Sequence, residues 1–156
     1  MKRAFLAAAV VIVALAAARP APAADRKIGF LFNLGFMTRD DLSPQWITLG
    51  PELALPVGTR LTVSPEVTLW GSNLGFRNYY VVPGALINFR VGRFTIGAGA
   101  IRRFWVSRFD DGRPAEKIAL KIQLGYRSGR SRIALIAVPL PTHDYVSLGL
   151  ALGMGF

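Results

Sequence analysis

The last twelve residues, Tyr145-Val-Ser-Leu-Gly-Leu-Ala-Leu-Gly-Met-Gly-Phe156, alternate strictly between two kinds of side chain. Val146, Leu148, Leu150, Leu152, Met154 and Phe156 take every second position, and Ser147, Gly149, Ala151, Gly153 and Gly155 lie between them. Successive side chains of a β-strand point to opposite faces. One face of this strand is therefore apolar and the other almost bare. A sheet in water would place charge on its second face. A strand with lipid on one side and a crowded, narrow lumen on the other has this composition.

The same period of two recurs along the chain. Ile28, Phe30, Phe32, Leu34 and Phe36 share a face in the first segment, against Gly29, Leu31, Asn33 and Gly35. The second sets Ile47, Leu49, Pro51, Leu53, Leu55 and Val57 against Thr48, Gly50, Glu52 and Ala54. The third sets Leu61, Val63, Pro65, Val67 and Leu69 against Thr62, Ser64, Glu66, Thr68 and Trp70. In the fourth, Val81, Pro83, Ala85, Ile87 and Phe89 oppose Tyr80, Val82, Gly84, Leu86 and Asn88. The fifth puts Phe94, Ile96, Ala98 and Ala100 outward and Thr95, Gly97, Gly99 and Arg103 inward, with a bulge expected near Arg102. The sixth sets Ile118, Leu120, Ile122, Leu124 and Tyr126 against Ala119, Lys121, Gln123 and Gly125. The seventh, Arg132 to Leu140, is apolar on both faces, so its register is unreadable; the eighth is the C-terminal strand.

Strands of about ten residues match the length a tilted membrane strand needs, and an even number returns both termini to one side. Closing the sheet satisfies every backbone donor and acceptor in lipid, which an open edge cannot do. The expected fold is thus all-β: an eight-stranded antiparallel up-and-down transmembrane β-barrel. Pro56–Arg60, Arg90–Arg93 and Arg127–Ser131 read as tight turns at one rim. Met37–Gln45, Gly71–Asn78, Val106–Glu116 and Pro141–Asp144 read as loops at the other. Pro51, Pro65 and Pro83 each remove a ladder donor. Pro51 and Pro65 are equidistant from Gly58, which predicts that they face each other across a hairpin.

The N-terminus reads as a cleaved secretory signal. Lys2 and Arg3 precede an apolar run from Ala4 to Ala18, and Ala21-Pro22-Ala23 supplies the cleavage site. Residues 1–23 are then the signal peptide and 24–156 the barrel domain. The apolar run is shorter than the roughly 20 residues of a membrane-spanning helix. There is no cysteine, which excludes disulfides, thiolate metal sites and a lipid-modified N-terminal cysteine. The formal net charge is +10, and Lys2, Arg3 and Arg19 would leave with the leader. Such basicity raises nucleic acid as a partner. Export argues against it, and so does the lack of a basic cluster interleaved with aromatics.

Glu52, Glu66, Lys121 and Arg103 fall on the inward phase. Glu52, Glu66 and Lys121 lie at similar height above the tight turns. Paired carboxylates can serve as an acid/base device. The favoured reading is a structural charge cluster in a lumen just wide enough for its own side chains, because buried charge is tolerated only when paired. Inward glycines would make room for Trp70, Lys121 and Arg103. The tight turns carry Arg60, Arg90, Arg93, Arg127, Arg130 and Arg132 without an acid. They are candidate contacts for phospholipid headgroups, worth roughly 1 kcal/mol each near the surface, or snorkelling residues that mark the interface. Trp46, Trp70, Tyr79, Tyr80, Phe104, Trp105 and Tyr145 collect at the outer strand ends and predict an aromatic girdle, although Trp70 and Tyr80 share the inward phase. Asp40-Asp41 and Asp110-Asp111 would meet divalent ions only weakly. No cofactor is expected.

Three stretches carry a family resemblance. Leu61-Thr-Val-Ser-Pro-Glu-Val-Thr-Leu-Trp70, Tyr79-Tyr-Val-Val-Pro-Gly-Ala-Leu-Ile-Asn-Phe89 and Phe94-Thr-Ile-Gly-Ala-Gly99 together resemble the bacterial outer-membrane β-barrel domain family, in which a Pro-Glu strand precedes a Tyr-x-x-x-Pro strand. The resemblance covers about 40 residues, and it implies that Pro65 and Pro83 are tolerated. The terminal stretch, with Tyr145, Leu148, Leu150, Leu152, Met154 and Phe156, is similar to the C-terminal signal read by the barrel-assembly machinery. The resemblance implies an outer-membrane location and this fold more than any activity, since that family has little assigned chemistry. The expected protein is a monomer among lipopolysaccharide and phospholipid, with a non-enzymatic structural or surface-interaction role. Two alternatives stand beside it. One is a lipid A acyl hydrolase or acyltransferase using His143 with Asp144 and Ser147, although the His-x-Ser spacing and Glu partner of such enzymes are missing. The other is a narrow channel for small apolar molecules.

Overall fold

A computed structural model describes residues 28–39, 42, 45–72, 79–106, 116–140 and 145–156. Nine stretches of strand build the wall: β1 (Gly29–Arg39), β2 (Gln45–Val57), β3 (Leu61–Ser72), β4 (Tyr79–Val91), β5 (Phe94–Ile101), β6 (Phe104–Val106), β7 (Ala119–Ser128), β8 (Ser131–Leu140) and β9 (Tyr145–Gly155). Every neighbouring pair is antiparallel. The sheet runs β3-β2-β1-β9-β8-β7-β5-β4 and closes through β3–β4. β9 pairs with β1 along Leu31–Arg39, and the Phe156 amide donates to the Phe30 carbonyl at 3.1 Å. The signal peptide, Asp40, Asp41, Asp110, Asp111, His143 and Asp144 lie outside the described residues.

β5 and β6 are two halves of one stave, so the barrel has eight. Tyr79 stands opposite Val106 and Gly84 opposite Ile101, so equal numbers of residues separate the pairs on both sides. The bulge expected near Arg102 is therefore absent: no residue is inserted. Pro83 causes the gap. The Arg102 amide donates to the Pro83 carbonyl at 3.0 Å, and proline has no N–H to return.

The prolines of the next seam also depart from expectation. Val57 pairs with Leu61 and Glu52 with Glu66. The hairpin is thus centred on Thr59, one residue beyond Gly58. Pro51 stands level with Val67 and Pro65 with Leu53, and the two prolines do not meet. The ladder lapses at these positions and resumes beyond them.

The tight turns are shorter than their sequence windows. Val91 pairs with Phe94 and Ser128 with Ser131, so two residues make each turn. Gly92 and Gly129 hold φ of 60° and 58° at the first central position, as a two-residue hairpin of this kind requires.

Alternation places the large apolar side chains outside. Leu34, Ile87, Leu120, Leu135, Leu148 and Leu152 are about half exposed, on five staves. A wall that presents leucine, isoleucine and phenylalanine to its surroundings is unfavourable in water and stable against hydrocarbon. β8 also alternates. Arg132, Ala134, Ile136, Val138 and Leu140 are buried, and Ile133 and Leu135 face out. Its register was unreadable because both its faces are apolar.

Candidate functional site

The lumen has two storeys. The lower one, toward the tight turns, is polar. Arg132 on β8 donates to Glu52 on β2 through both terminal nitrogens, Nη1 to Oε1 at 2.9 Å and Nη2 to Oε2. Asn33 on β1 completes the triad, donating Nδ2 to Glu52 Oε2 at 3.0 Å and accepting from Arg132 Nη2 at 3.0 Å. Lys121 on β7 pairs with Glu66 on β3. Gln123 donates to Asn88 at 2.7 Å, and Asn88 donates to Ser64 at 2.8 Å. Each carboxylate faces a cation, as burial in a low dielectric requires.

Inward glycines set these spans. Gly153 lies between Arg132 and Asn33 in the register, and a Cβ there would fall 2.7 Å from Asn33 Oδ1. Gly97 lies between Gln123 and Asn88, and a Cβ there would fall 2.0 Å from Asn88 Oδ1. The space they leave serves Arg132, Asn33, Asn88 and Gln123. Of the residues expected to use it, only Lys121 stands opposite an inward glycine, Gly99.

The upper storey is apolar and aromatic. Met37, Trp46, Trp70, Val82, Ile101 and Val138 form its centre, with Tyr80 and Tyr145 packed against them. Trp46 and Trp70 meet at 6.2 Å between ring centroids, and Trp70 Nε1 donates to Thr68 Oγ1 at 3.1 Å. Arg103 belongs here and not with the lower charges. Its guanidinium pairs with Glu116, 2.7 Å from Nε to Oε2, and lies 4.8 Å from the Tyr80 ring centre and 5.6 Å from that of Trp70. Such cation–π contacts suit a desolvated arginine. Between the storeys is a void of about 20 Å³, roughly the room of one water.

The predicted outer girdle is therefore largely a lumen plug. Trp46 and Trp70 are buried, and Tyr80 turns inward to meet Trp105 edge-on at 4.7 Å. Phe104 does face outward. Outward aromatics pair at the opposite rim, Phe30 with Phe156 at 6.1 Å and Phe94 with Tyr126 at 5.2 Å.

The six rim arginines do not form one set. Arg132 is buried in the lumen and bound to Glu52, so it is not placed to meet lipid. Arg93 and Arg130 are exposed in their turns, and Arg93 donates to the Tyr126 hydroxyl at 3.3 Å. Arg60 is half-buried in its turn. Arg90 and Arg127 are half-buried on the inward phase of β4 and β7. A signal for Arg132 was present in the sequence. A two-residue turn at Gly129-Arg130 sets Arg127 opposite Arg132, and the inward phase of Lys121 and Gln123 then carries both arginines inside.

Of the residues weighed for lipid chemistry, Ser147 is fully buried in the lumen wall. Its hydroxyl has no hydrogen-bond partner among the described residues. Lipid acyl chains on the outer wall do not reach it. Among the described residues no three acidic or histidine side chains gather as a metal site.

No protein-family model and no curated protein matches the sequence. Solved structures do match. The N-terminal β-barrel domain of Pseudomonas aeruginosa OprF aligns with a TM-score of 0.56 at 10% identity, covering 82% of this chain and 97% of that one. The de novo designed TMB2.3, solved by solution NMR, aligns with a TM-score of 0.56 at 12% identity, covering 84% of this chain and 96% of that one. At such identity the likeness concerns the fold: a small, closed, eight-stranded antiparallel barrel of the outer-membrane type.

Proposed function

We propose that the chain is a bacterial outer-membrane protein, exported through a leader at residues 1–23, whose barrel serves a non-enzymatic structural or surface-interaction role. One observation carries the reading. The barrel is apolar outside on every stave and filled inside by its own side chains. A closed wall of this kind is stable in hydrocarbon. A lumen that holds an ion-paired lower storey under an aromatic plug is built for rigidity more than for passage. The burial of Ser147 away from the outer wall speaks against acyl chemistry there. The expected setting is a monomer among lipopolysaccharide and phospholipid, inserted by the barrel-assembly machinery through its C-terminal strand.

Fractionation of expressing cells tests the location. The protein should sediment with outer membranes and migrate differently on gels before and after boiling. Recovery from the soluble periplasm would overturn the proposal. Mass spectrometry of lipid A tests the role, and a profile altered by expression would overturn the non-enzymatic reading.

A further inference from the structure

The charges of the lower lumen do not balance. Lys121, Arg132, Arg90 and Arg127 all stand on the inward phase of their strands, where Glu52 and Glu66 are the carboxylates among the described residues. Both carboxylates are already paired, Glu52 with Arg132 and Glu66 with Lys121. Arg90 and Arg127 remain. Each gives its Nε–H to a carbonyl of its own turn, Gly92 at 3.3 Å and Gly129 at 3.2 Å. That bond holds the stem and leaves the terminal nitrogens without a partner among the described residues.

Further donors surround the same place. Thr95 stands directly opposite Arg90, and Gly125 directly opposite Thr95. Thr95 Oγ1 and Arg132 Nε are buried and have no hydrogen-bond partner among the described residues. Gly125 lets both side chains pack against bare backbone, since a Cβ there would fall 2.5 Å from Thr95 Oγ1 and 3.4 Å from Arg132 Cδ. Arg127 pairs in register with Arg132 and is repelled by both Arg90 and Arg132. Arg90 thus stands in register with an orphaned hydroxyl, and Arg127 with an arginine whose Nε–H is orphaned. Buried unpaired donors are rare and call for an explanation. An anion between them would satisfy the donors and remove the repulsion.

We propose that the tight-turn mouth of the lumen binds a phosphate dianion, gripped by Arg90 and Arg127 with Thr95 donating from the wall. Phosphate suits the site better than a carboxylate. Its oxygens accept from several directions at once, and guanidinium forks match them bidentately. The dianion could belong to a phosphomonoester headgroup, as in phosphatidic acid, or to a free phosphate species. The site depends on the barrel's register alone, whatever role the protein has in the envelope.

The test uses the folded chain in a neutral maltoside detergent, titrated with inorganic phosphate while the arginine Nε–H resonances are followed by NMR. Arg90→Gln and Arg127→Gln should each weaken saturable binding about tenfold or more. Thr95→Val should weaken it severalfold. It preserves side-chain shape, so it serves if an arginine variant folds poorly; the gel shift on boiling confirms folding. Arg93→Gln, on the exposed turn, should leave binding unchanged. A second arm reconstitutes the protein in phosphatidylcholine vesicles with or without phosphatidic acid. Displacement of phosphate by phosphatidic acid names a lipid headgroup as the source, and no displacement names a free species; both require the site. Absence of saturable binding overturns the proposal. So does binding that is indifferent to Thr95→Val and as sensitive to Arg93→Gln as to Arg90→Gln, the pattern of a merely basic rim.

Discussion

Arg132 reaches Glu52 across two intervening strands, and both its terminal nitrogens engage the carboxylate. Gly153 and the short Asn33 follow Arg132 along its row of the lumen wall, and Glu52 stands one inward position below that row, opposite Leu31. The pair joins β8 to β2 over the seam where β9 meets β1. It thus spans the closure of the barrel, where the chain's two ends come together. Removing one partner leaves the other buried and uncompensated, at a cost of about 3–5 kcal/mol. Arg132→Met or Glu52→Gln should each lower the unfolding free energy of the reconstituted barrel, read from urea titration, by that amount. The double variant Arg132→Met/Glu52→Leu should recover most of the loss. A double variant as unstable as the sum of the singles would show that the pair is not what the single variants break.

Gly50 and Gly97 both stand too close to a neighbour for a Cβ, yet the two sites should respond differently. A Cβ on Gly50 would fall 2.1 Å from the Val67 carbonyl oxygen and 2.7 Å from Thr68 Cα, both backbone. A Cβ on Gly97 would meet the Asn88 side-chain oxygen, which can swing aside once its bond from Gln123 is given up. Overpacking against backbone costs about 1–3 kcal/mol, whereas a lost neutral hydrogen bond costs about 1 kcal/mol. Gly50→Ala should therefore be the more destabilising in urea titrations, and the reverse order would refute the close approach of β2 and β3.

Contrast between the two faces decided which parts of this fold could be read in advance. Where lipid lies on one side and Glu52, Lys121 or a glycine on the other, alternation marks the strand and its direction. β8 escaped because its inward residues, Ala134, Ile136, Val138 and Leu140, belong to the apolar storey and match the outside in polarity. The same storey hid the inward turn of Trp46, since an aromatic near a strand end suits a girdle and a plug equally. Register errors had another origin. A hairpin's centre depends on which residues make its turn, and the turn after Val57 holds Gly58, Thr59 and Arg60, so its centre is Thr59 and not Gly58. Pairings such as Arg132 with Glu52 were beyond reach until β8 had a register, because they link residues on non-adjacent strands.

Tryptophan placement separates the plug from a girdle. Trp46 and Trp70 are 3% and 2% exposed and face the lumen. In vesicles with brominated acyl chains, single-tryptophan variants that retain either residue should show weak quenching. Phe94→Trp on a background without the native tryptophans should be quenched strongly, because position 94 faces outward. Strong quenching of Trp46 would mean that the outer half of the barrel is turned inside out relative to this structure.

Planar-bilayer recordings probe the same plug from its two ends. The void between the storeys is about 20 Å³, too small for a hydrated ion, so the intact protein should show no discrete conductance steps. Trp70→Ala/Trp46→Ala removes the two rings that meet at the centre of the upper storey. If steps are seen in the parent protein, the lumen is not filled as described. If they emerge only in the double variant, the aromatic pair is the barrier.

Phe156 offers a last distinction, between holding the barrel together and bringing it to the membrane. Its ring is 80% exposed and touches the Phe30 ring at 6.1 Å. An aromatic contact of that kind is worth about 0.5–1.5 kcal/mol. Its backbone amide bonds the Phe30 carbonyl, and that bond survives any side-chain change. Phe156→Ala should therefore lower the urea midpoint only slightly in refolded protein. If the terminal aromatic is read by the assembly machinery, the same variant should deplete the outer-membrane fraction in cells far more than its stability predicts. Equal loss in both measurements would reduce Phe156 to an ordinary contact of the closing strand.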